Sequence, residues 1–323
     1  MPRHARRLLL ALALATPAAP SFAWNGFGHM VVADIAWRDL KAHAPQLLAR
    51  IDALLQLNPS YAQWVKGVPE SARQEVAFVQ AAHWADDIKG PTSGYVADGD
   101  NGGNTGVEPA ASRNLGYAPA DTAMHKYWHF IDAGFSTDGT RVAATPVPNV
   151  QERIVLFSQV LASSTDTDAL KSYDLTWLIH LVGDIHQPLH ATERFTGDAT
   201  SGDAGGNFVK VSCSRAEACP RNLHAVWDDI LGTSTSPTTA IDEAATLALP
   251  TDAADVHAPV DTWAAESLKM AESDAYGGID AITDGQHKLS GAYLSRAESD
   301  AKGRVAIAGL RLSWLLQQNL RLN

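Results

Sequence analysis

Histidines and aspartates recur four residues apart inside stretches that are otherwise apolar, and few folds tolerate that pattern. His180 and Asp184 are separated by Leu181-Val182-Gly183, and His224 and Asp228 by Ala225-Val226-Trp227. His125 and His129 repeat the step, as do His186 and His190, although Pro188 disturbs any helix across the last pair. Residues four apart on a helix lie on one face. Helices built this way bury ionisable groups, which is costly unless an opposite charge or a cation receives them. Imidazole and carboxylate are the ligands that zinc takes when cysteine is not used. A lone histidine on a helix usually packs or faces solvent; here the repetition, among twelve histidines in all, points to metal.

The rest of the chain fits a helical frame. Apolar residues recur at helical spacing in Val31-Val32-Ile35-Ala36-Leu40, in Leu47-Leu48-Ile51-Leu54-Leu55, and in Val76-Val79 leading to His83. The pattern returns in Ile154-Phe157-Val160-Leu161, in Leu175-Leu178-Ile179-Val182, and in a long C-terminal stretch from Val305 to Leu320. Strand signals are few, the best being Asn207 to Val211 after a glycine pair. Gly90 to Tyr117 and Thr196 to Gly206 read as loops from their Gly, Asn, Asp and Ser content. The acidic run Asp98 to Asn104 reads as a solvated loop, because it lacks the bidentate glutamate of a calcium-binding EF-hand. The expected fold is all-α: a single compact multi-helix domain with long loops and at most a short β-hairpin.

The first 23 residues read as a cleavable export signal. Arg3, Arg6 and Arg7 precede an apolar run from Leu8 to Ala15, and Ser21-Phe22-Ala23 offers a small-x-small cleavage site. The run is shorter than the roughly 20 apolar residues a membrane span needs, and no later segment is longer. Cleavage after Ala23 leaves residues 24–323 as one domain. It also removes three arginines, taking the formal charge from −11 to −14. Such a chain lacks the basic groove usual in nucleic-acid binding, unless bound cations supply the positive field. The chain's two cysteines, Cys213 and Cys219, favour a disulfide in an oxidising compartment. Free thiols or a metal site are the lesser readings, since no Cys-x-x-Cys pattern is present. The protein is therefore expected to be exported, either to a periplasm or out of the cell.

A set of ordered segments resembles the type I nuclease family, the zinc-dependent single-strand nucleases and 3′-nucleotidases related to zinc-dependent phospholipase C. The segments are Trp24-Asn25-Gly26-Phe27-Gly28-His29, Trp84-Ala85-Asp86, His129-Phe130-Ile131-Asp132, His180 to His190, Gly205-Gly206-Asn207, Asn222 to Asp228, and Ala308 to Leu312. The resemblance implies three Zn2+ ions. One takes Asp86, His129, His180 and Asp184, and a second takes His190, His224 and Asp228. The third takes His29, Asp184 as a bridge, and the amine and carbonyl of Trp24, the residue that signal cleavage would expose. It further implies a phosphate-facing role for Lys89, with catalysis centred on Asp86, Asp184 and Lys89, and a nucleobase pocket at Phe130 and Asp132.

The function so implied is hydrolysis of phosphodiester bonds in single-stranded DNA and RNA to 5′-phosphorylated products, with 3′-nucleotides as further substrates and no stable protein partner. The competing readings are that Lys89 is a surface lysine and that Phe130 is a core residue. At the level of function, a zinc-dependent phospholipase C and a catalytically silent zinc protein stay open. A closed structural zinc site uses four protein ligands, whereas nine residues shared among three ions leave positions for water and phosphate. His83 and His125 read as structural, His186 as a group orienting a ligand, and His43, His257 and His287 as surface residues.

Overall fold

The computed structural model describes residues 24–98, 115–214, 219, 222–279 and 287–322. The signal-like segment and residues 99–104 of the acidic run lie outside them. Helices dominate the described residues. The first half holds α1 (Gly26–His43), α2 (Leu48–Leu55), α3 (Tyr61–Trp64), α4 (Arg73–Ala81) and α5 (Trp84–Asp87). The middle holds α6 (Val150–Ala162), α7 (Asp168–Asp184) and α8 (Leu223–Asp229). The chain ends through α9 (Pro237–Thr246), α10 (Ala253–Val256), α11 (Val260–Met270) and the long α12 (Gly291–Asn319).

Local chemistry sets the helix starts. A side-chain oxygen at the residue before the first turn satisfies amide groups that have no partner within the helix. Asn25 caps α1, Asn149 caps α6, Thr167 caps α7, Asn222 caps α8 and Ser290 caps α12. Every residue of α7 from Lys171 to Asp184 is buried. A helix enclosed on all faces forms the centre of a domain, and α2, α6 and α12 pack around it. α1 lies against α4, α9 and α12. Its approach to α12 is possible only because residue 309 is a glycine, as a Cβ there would stand 2.5 Å from that of Ile35.

The strand content is small and parallel. β1 (Gly134–Ser136) pairs with β2 (Glu193–Phe195), and β3 (Val211–Cys213) pairs with β4 (His287–Leu289). The strand expected over Asn207–Val211 starts only at its last residue, because the preceding glycine turn runs on. Asn207 N–H still donates to the Ala204 carbonyl, and Val209 N–H to that of Gly206. Cys213 and Cys219 form a disulfide with a Cα–Cα separation of 5.6 Å.

Two histidines outside the metal-like clusters do structural work of distinct kinds. His125 is fully buried and stacks on Trp128 at 3.6 Å. Its Nε2 lies 2.8 Å from Asp121 and its Nδ1 3.0 Å from Asp98. Burial would lower its pKa, but the two carboxylates raise it above the ordinary imidazole value. His186 faces away from the clusters and is neutral. Its Nδ1 donates to the Val182 carbonyl, which leaves Nε2 to accept from the Arg311 guanidinium at 2.9 Å. Arg311 is itself buried and held by Glu266. The segment Ala308–Leu312 thus contributes one close helix approach and one buried anchor. His186 orients the α7–α12 contact rather than a clustered side chain.

Candidate metal centre

Five helical elements deliver their ends to one enclosed place. α1 brings His29 in its first turn, α5 brings Asp86, and α7 brings His180 and Asp184 in its last turn. α8 brings His224 and Asp228, while the short helical turn Pro188–Ala191 brings His190. His129 follows a single turn at Lys126–Trp128. Among the described residues, three groups could each grip one ion: His29, Asp86 and His180; His129, His180 and Asp184; His190, His224 and Asp228. Within each group the ligand atoms lie within 4.8 Å of one another, and all are buried.

Asp184 faces most of the first two groups at once. Its Oδ2 lies 3.0 Å from His129 Nδ1 and 3.1 Å from His180 Nε2, and its Oδ1 lies 3.3 Å from His29 Nε2. His29 reaches this position because Gly183 has no side chain; a Cβ there would stand 2.8 Å from the imidazole. Trp24 is completely buried at the start of the described chain, folded back over Gly28. The next residue's amide donates to the Asp228 carbonyl at 3.2 Å, which sets the chain start beside the third group.

The donor set asks for cations. His224 Nδ1 points at the Gly205 carbonyl at 2.7 Å, and His190 Nδ1 at the His129 carbonyl at 2.8 Å. A ring nitrogen facing a carbonyl must carry the proton, so in the neutral rings both Nε2 atoms present lone pairs. Those two Nε2 atoms face each other at 3.0 Å, and Asp228 Oδ2 lies 3.6 Å from that of His224. Lone pairs directed together in a dry pocket repel unless a positive charge stands between them. Nδ1 of His29, Nε2 of His129 and Oδ2 of Asp86 have no hydrogen-bond partner. Zinc and other divalent cations suit this set of imidazoles and carboxylates.

Electrostatics keeps His29, His129, His190 and Asp184 in their binding forms; burial would lower His180 too, but the two carboxylates beside it raise it. Burial lowers His29 to about 4; burial and then Lys89 lower His129 to about 3. Burial also lowers His190. These rings stay neutral and able to donate a lone pair well below the ordinary imidazole range. Burial alone would raise Asp184, but His180 and His129 pull it well below the carboxylate range. Asp228 goes the other way, raised well above that range by burial.

The remaining candidate residues surround this core. Lys89 is no surface lysine: its side chain is 3% exposed, and its ammonium lies 2.5 Å from Asp86 Oδ1. Phe130 is half-buried, one side against the core. Asp132 is raised to about 7, by burial first and then by Asp203. Two supporting residues were given no role by the sequence reading, although Gln187 lies within the run from His180 to His190 and Glu193 just after it. Gln187 donates its amide to Asp228 Oδ1 at 2.7 Å. Glu193 accepts from the backbone amides of Ala204 and Gly205, next to the carbonyl that holds His224.

A family model described as S1/P1 Nuclease matches residues 24–321. Endonuclease 3 of Arabidopsis thaliana is 41% identical over 78 residues, which is 23% of each chain. Nuclease S1 of Aspergillus oryzae is 28% identical over 219 residues, 59% of this chain and 71% of that protein. Endonuclease 2 of Arabidopsis thaliana is 29% identical over 180 residues, covering 50% and 58% respectively. The shared stretches thus span from about a quarter to about seven tenths of these relatives' lengths.

Proposed function

Because the chain belongs to the S1/P1 nuclease family, we propose that it is an exported zinc-dependent hydrolase of phosphodiester bonds in single-stranded DNA and RNA. Its products carry 5′-phosphates, and 3′-nucleotides are also substrates. One observation carries the metal half of this reading: with Nδ1 of each ring on a main-chain carbonyl, the Nε2 atoms of His190 and His224 are aimed at each other at 3.0 Å beside Asp228. Asp86, His129, His180 and Asp184 would hold one zinc ion, and His190, His224 and Asp228 a second. His29, Asp184 and the amine and carbonyl of Trp24 would hold the third. Bound zinc supplies Lewis-acid polarisation of phosphoryl oxygens and lowers the pKa of water.

The chain's own residues set the rest. Eight buried side-chain ligands create a positive seat, once loaded, in a processed chain whose formal charge is −14, that is −11 less the three arginines of residues 1–23. Lys89, already aligned by Asp86, adds an ammonium for the phosphate oxygens. Phe130 offers its open side for stacking of a base, a contact that accepts any sequence, and Asp132 offers a hydrogen-bonding edge. The disulfide supports an oxidising destination, and no helix among the described residues is long and apolar enough to cross a membrane.

The test uses purified residues 24–323. Metal content is measured, and hydrolysis of single-stranded DNA, duplex DNA and phosphatidylcholine vesicles is compared before and after chelation. The expected result is bound zinc, with single-strand hydrolysis that chelation abolishes and zinc restores. Undiminished hydrolysis in metal-free protein, or turnover of phosphatidylcholine in place of DNA, overturns the proposal. Bound zinc without hydrolysis would establish the silent metal protein instead. Phe130→Ala should raise KM for single-stranded DNA about tenfold, since base stacking contributes roughly 1–3 kcal/mol, while kcat changes little. Steady-state kinetics reads both, and unchanged parameters would return Phe130 to core packing.

A further inference from the structure

Three of the histidines proposed as ligands fix Nδ1 on a main-chain carbonyl and so aim Nε2 into the cluster. His180 uses Ala82 at 2.6 Å, His190 uses His129 at 2.8 Å, and His224 uses Gly205 at 2.7 Å. The first two carbonyls belong to residues that close helical turns. The third has no helix behind it. It sits in a loop where Ala204, Gly205 and Gly206 take φ values of 54°, 56° and 83°, a run that L side chains disfavour.

Consecutive left-handed residues turn their N–H groups into one concavity, and such a nest binds an anion. Here the concavity is filled from within the chain, by the Glu193 carboxyl group. Ala204 N–H donates to one oxygen of Glu193 at 2.9 Å, and Gly205 N–H donates to the other at 3.1 Å. Glu193 is only 8% exposed. It is fixed on β2, whose amide at this residue donates to the Ala133 carbonyl at 3.1 Å. Gly202 leaves the space its carboxylate fills, because a Cβ at 202 would overlap Oε1.

We propose that Glu193 is a positioning residue for His224: through the amides of Ala204 and Gly205 it sets the Gly205 carbonyl, and that carbonyl sets the tautomer and aim of the ligand. The inference rests on the zinc reading of the preceding subsection. Glu193 touches no reacting atom. Its effect falls on one of the three groups, since the carbonyls behind His180 and His190 do not depend on the 204–206 loop.

The measurement is a competition titration of zinc against a chromophoric chelator, for the parent protein and Glu193→Gln. The carboxamide keeps the shape but turns one acceptor into a donor that faces an N–H. The titration is run at about pH 9, above the value of about 8 to which burial and Asp132 raise Glu193. One bound zinc should then be held about tenfold to a hundredfold more weakly, the range typical of losing a group behind a ligand. The other zinc ions should keep their affinity. A nitrogen-detected spectrum of the parent's histidines gives a second reading that needs no variant: His224 should show a protonated Nδ1 and a bare or metal-bound Nε2. Equal zinc affinities in parent and variant, a uniform loss across all ions, or an Nε2-protonated His224 in the parent each overturn the role of Glu193. A parent that binds no zinc overturns the metal reading itself.

Discussion

Asp184→Asn lowers the rate of single-strand hydrolysis by two to three orders of magnitude while the protein stays folded. The carboxylate is completely buried and meets His129 and His180 through one oxygen and His29 through the other. An asparagine preserves that shape but offers one acceptor and no charge, and its amide would face imidazole nitrogens that must keep their lone pairs. The seat for two of the proposed ions is therefore weakened together. Charge stabilisation by a bound cation contributes several kcal/mol to a phosphoryl transition state, and about 1.4 kcal/mol is tenfold in rate. Losing half of that contribution gives the expected fall of roughly a hundredfold to a thousandfold. Single-turnover kinetics in excess zinc, paired with metal analysis, separates poor loading from slow chemistry. Near-parental turnover in fully loaded protein would refute the bridging role of Asp184.

The site was more legible in the sequence than its supports were. His180 with Asp184 and His224 with Asp228 announce themselves because a four-residue step is a property of one helix, visible without knowing what packs against it. α1, α4, α6 and α7 were legible for the same reason, each carrying a local apolar period. Glu193 was not legible. It acts through amides eleven and twelve residues away, and backbone groups have no letter in a sequence. The parallel pairs escaped for a related cause: β3 meets a partner 76 residues on, at a register that no local pattern encodes. Lys89 shows the limit from the other side. At a helix end the sequence leaves a phosphate-facing lysine and a surface lysine both open, and only the folded chain shows its ammonium enclosed with Asp86. The same holds for His186, whose place within the motif-dense run from His180 to His190 suggested a ligand-orienting role. The fold gives it to Arg311 instead.

Gly309→Ala and Gly303→Ala, two identical changes on one helix, shift stability in opposite directions. Helix propensity favours alanine over glycine by about 1 kcal/mol in a helix interior, and both residues lie inside α12. At Gly303 nothing approaches within 4 Å of an added Cβ, so propensity acts alone and the variant gains roughly 0.5–1 kcal/mol. At Gly309 the new carbon would stand 2.5 Å from Cβ and Cγ2 of Ile35 and 2.9 Å from the Val32 carbonyl oxygen. A backbone oxygen cannot rotate aside, so α1 itself must move. Overpacking of this kind costs roughly 1–3 kcal/mol, which outweighs the propensity gain. Valine at 309 adds two further methyl groups to the same contact and should cost about 3 kcal/mol or more, lowering Tm by roughly 6–12 °C at the 2–4 °C per kcal/mol usual for chains near this size. The consequence extends to function, because His29 stands less than two turns before Ile35 on the helix that is displaced. Thermal unfolding of the three variants, each with and without zinc, tests this. A stabilised Gly309→Ala would mean that α1 yields at no cost, and that the close approach of the two helices does not fix the position of His29.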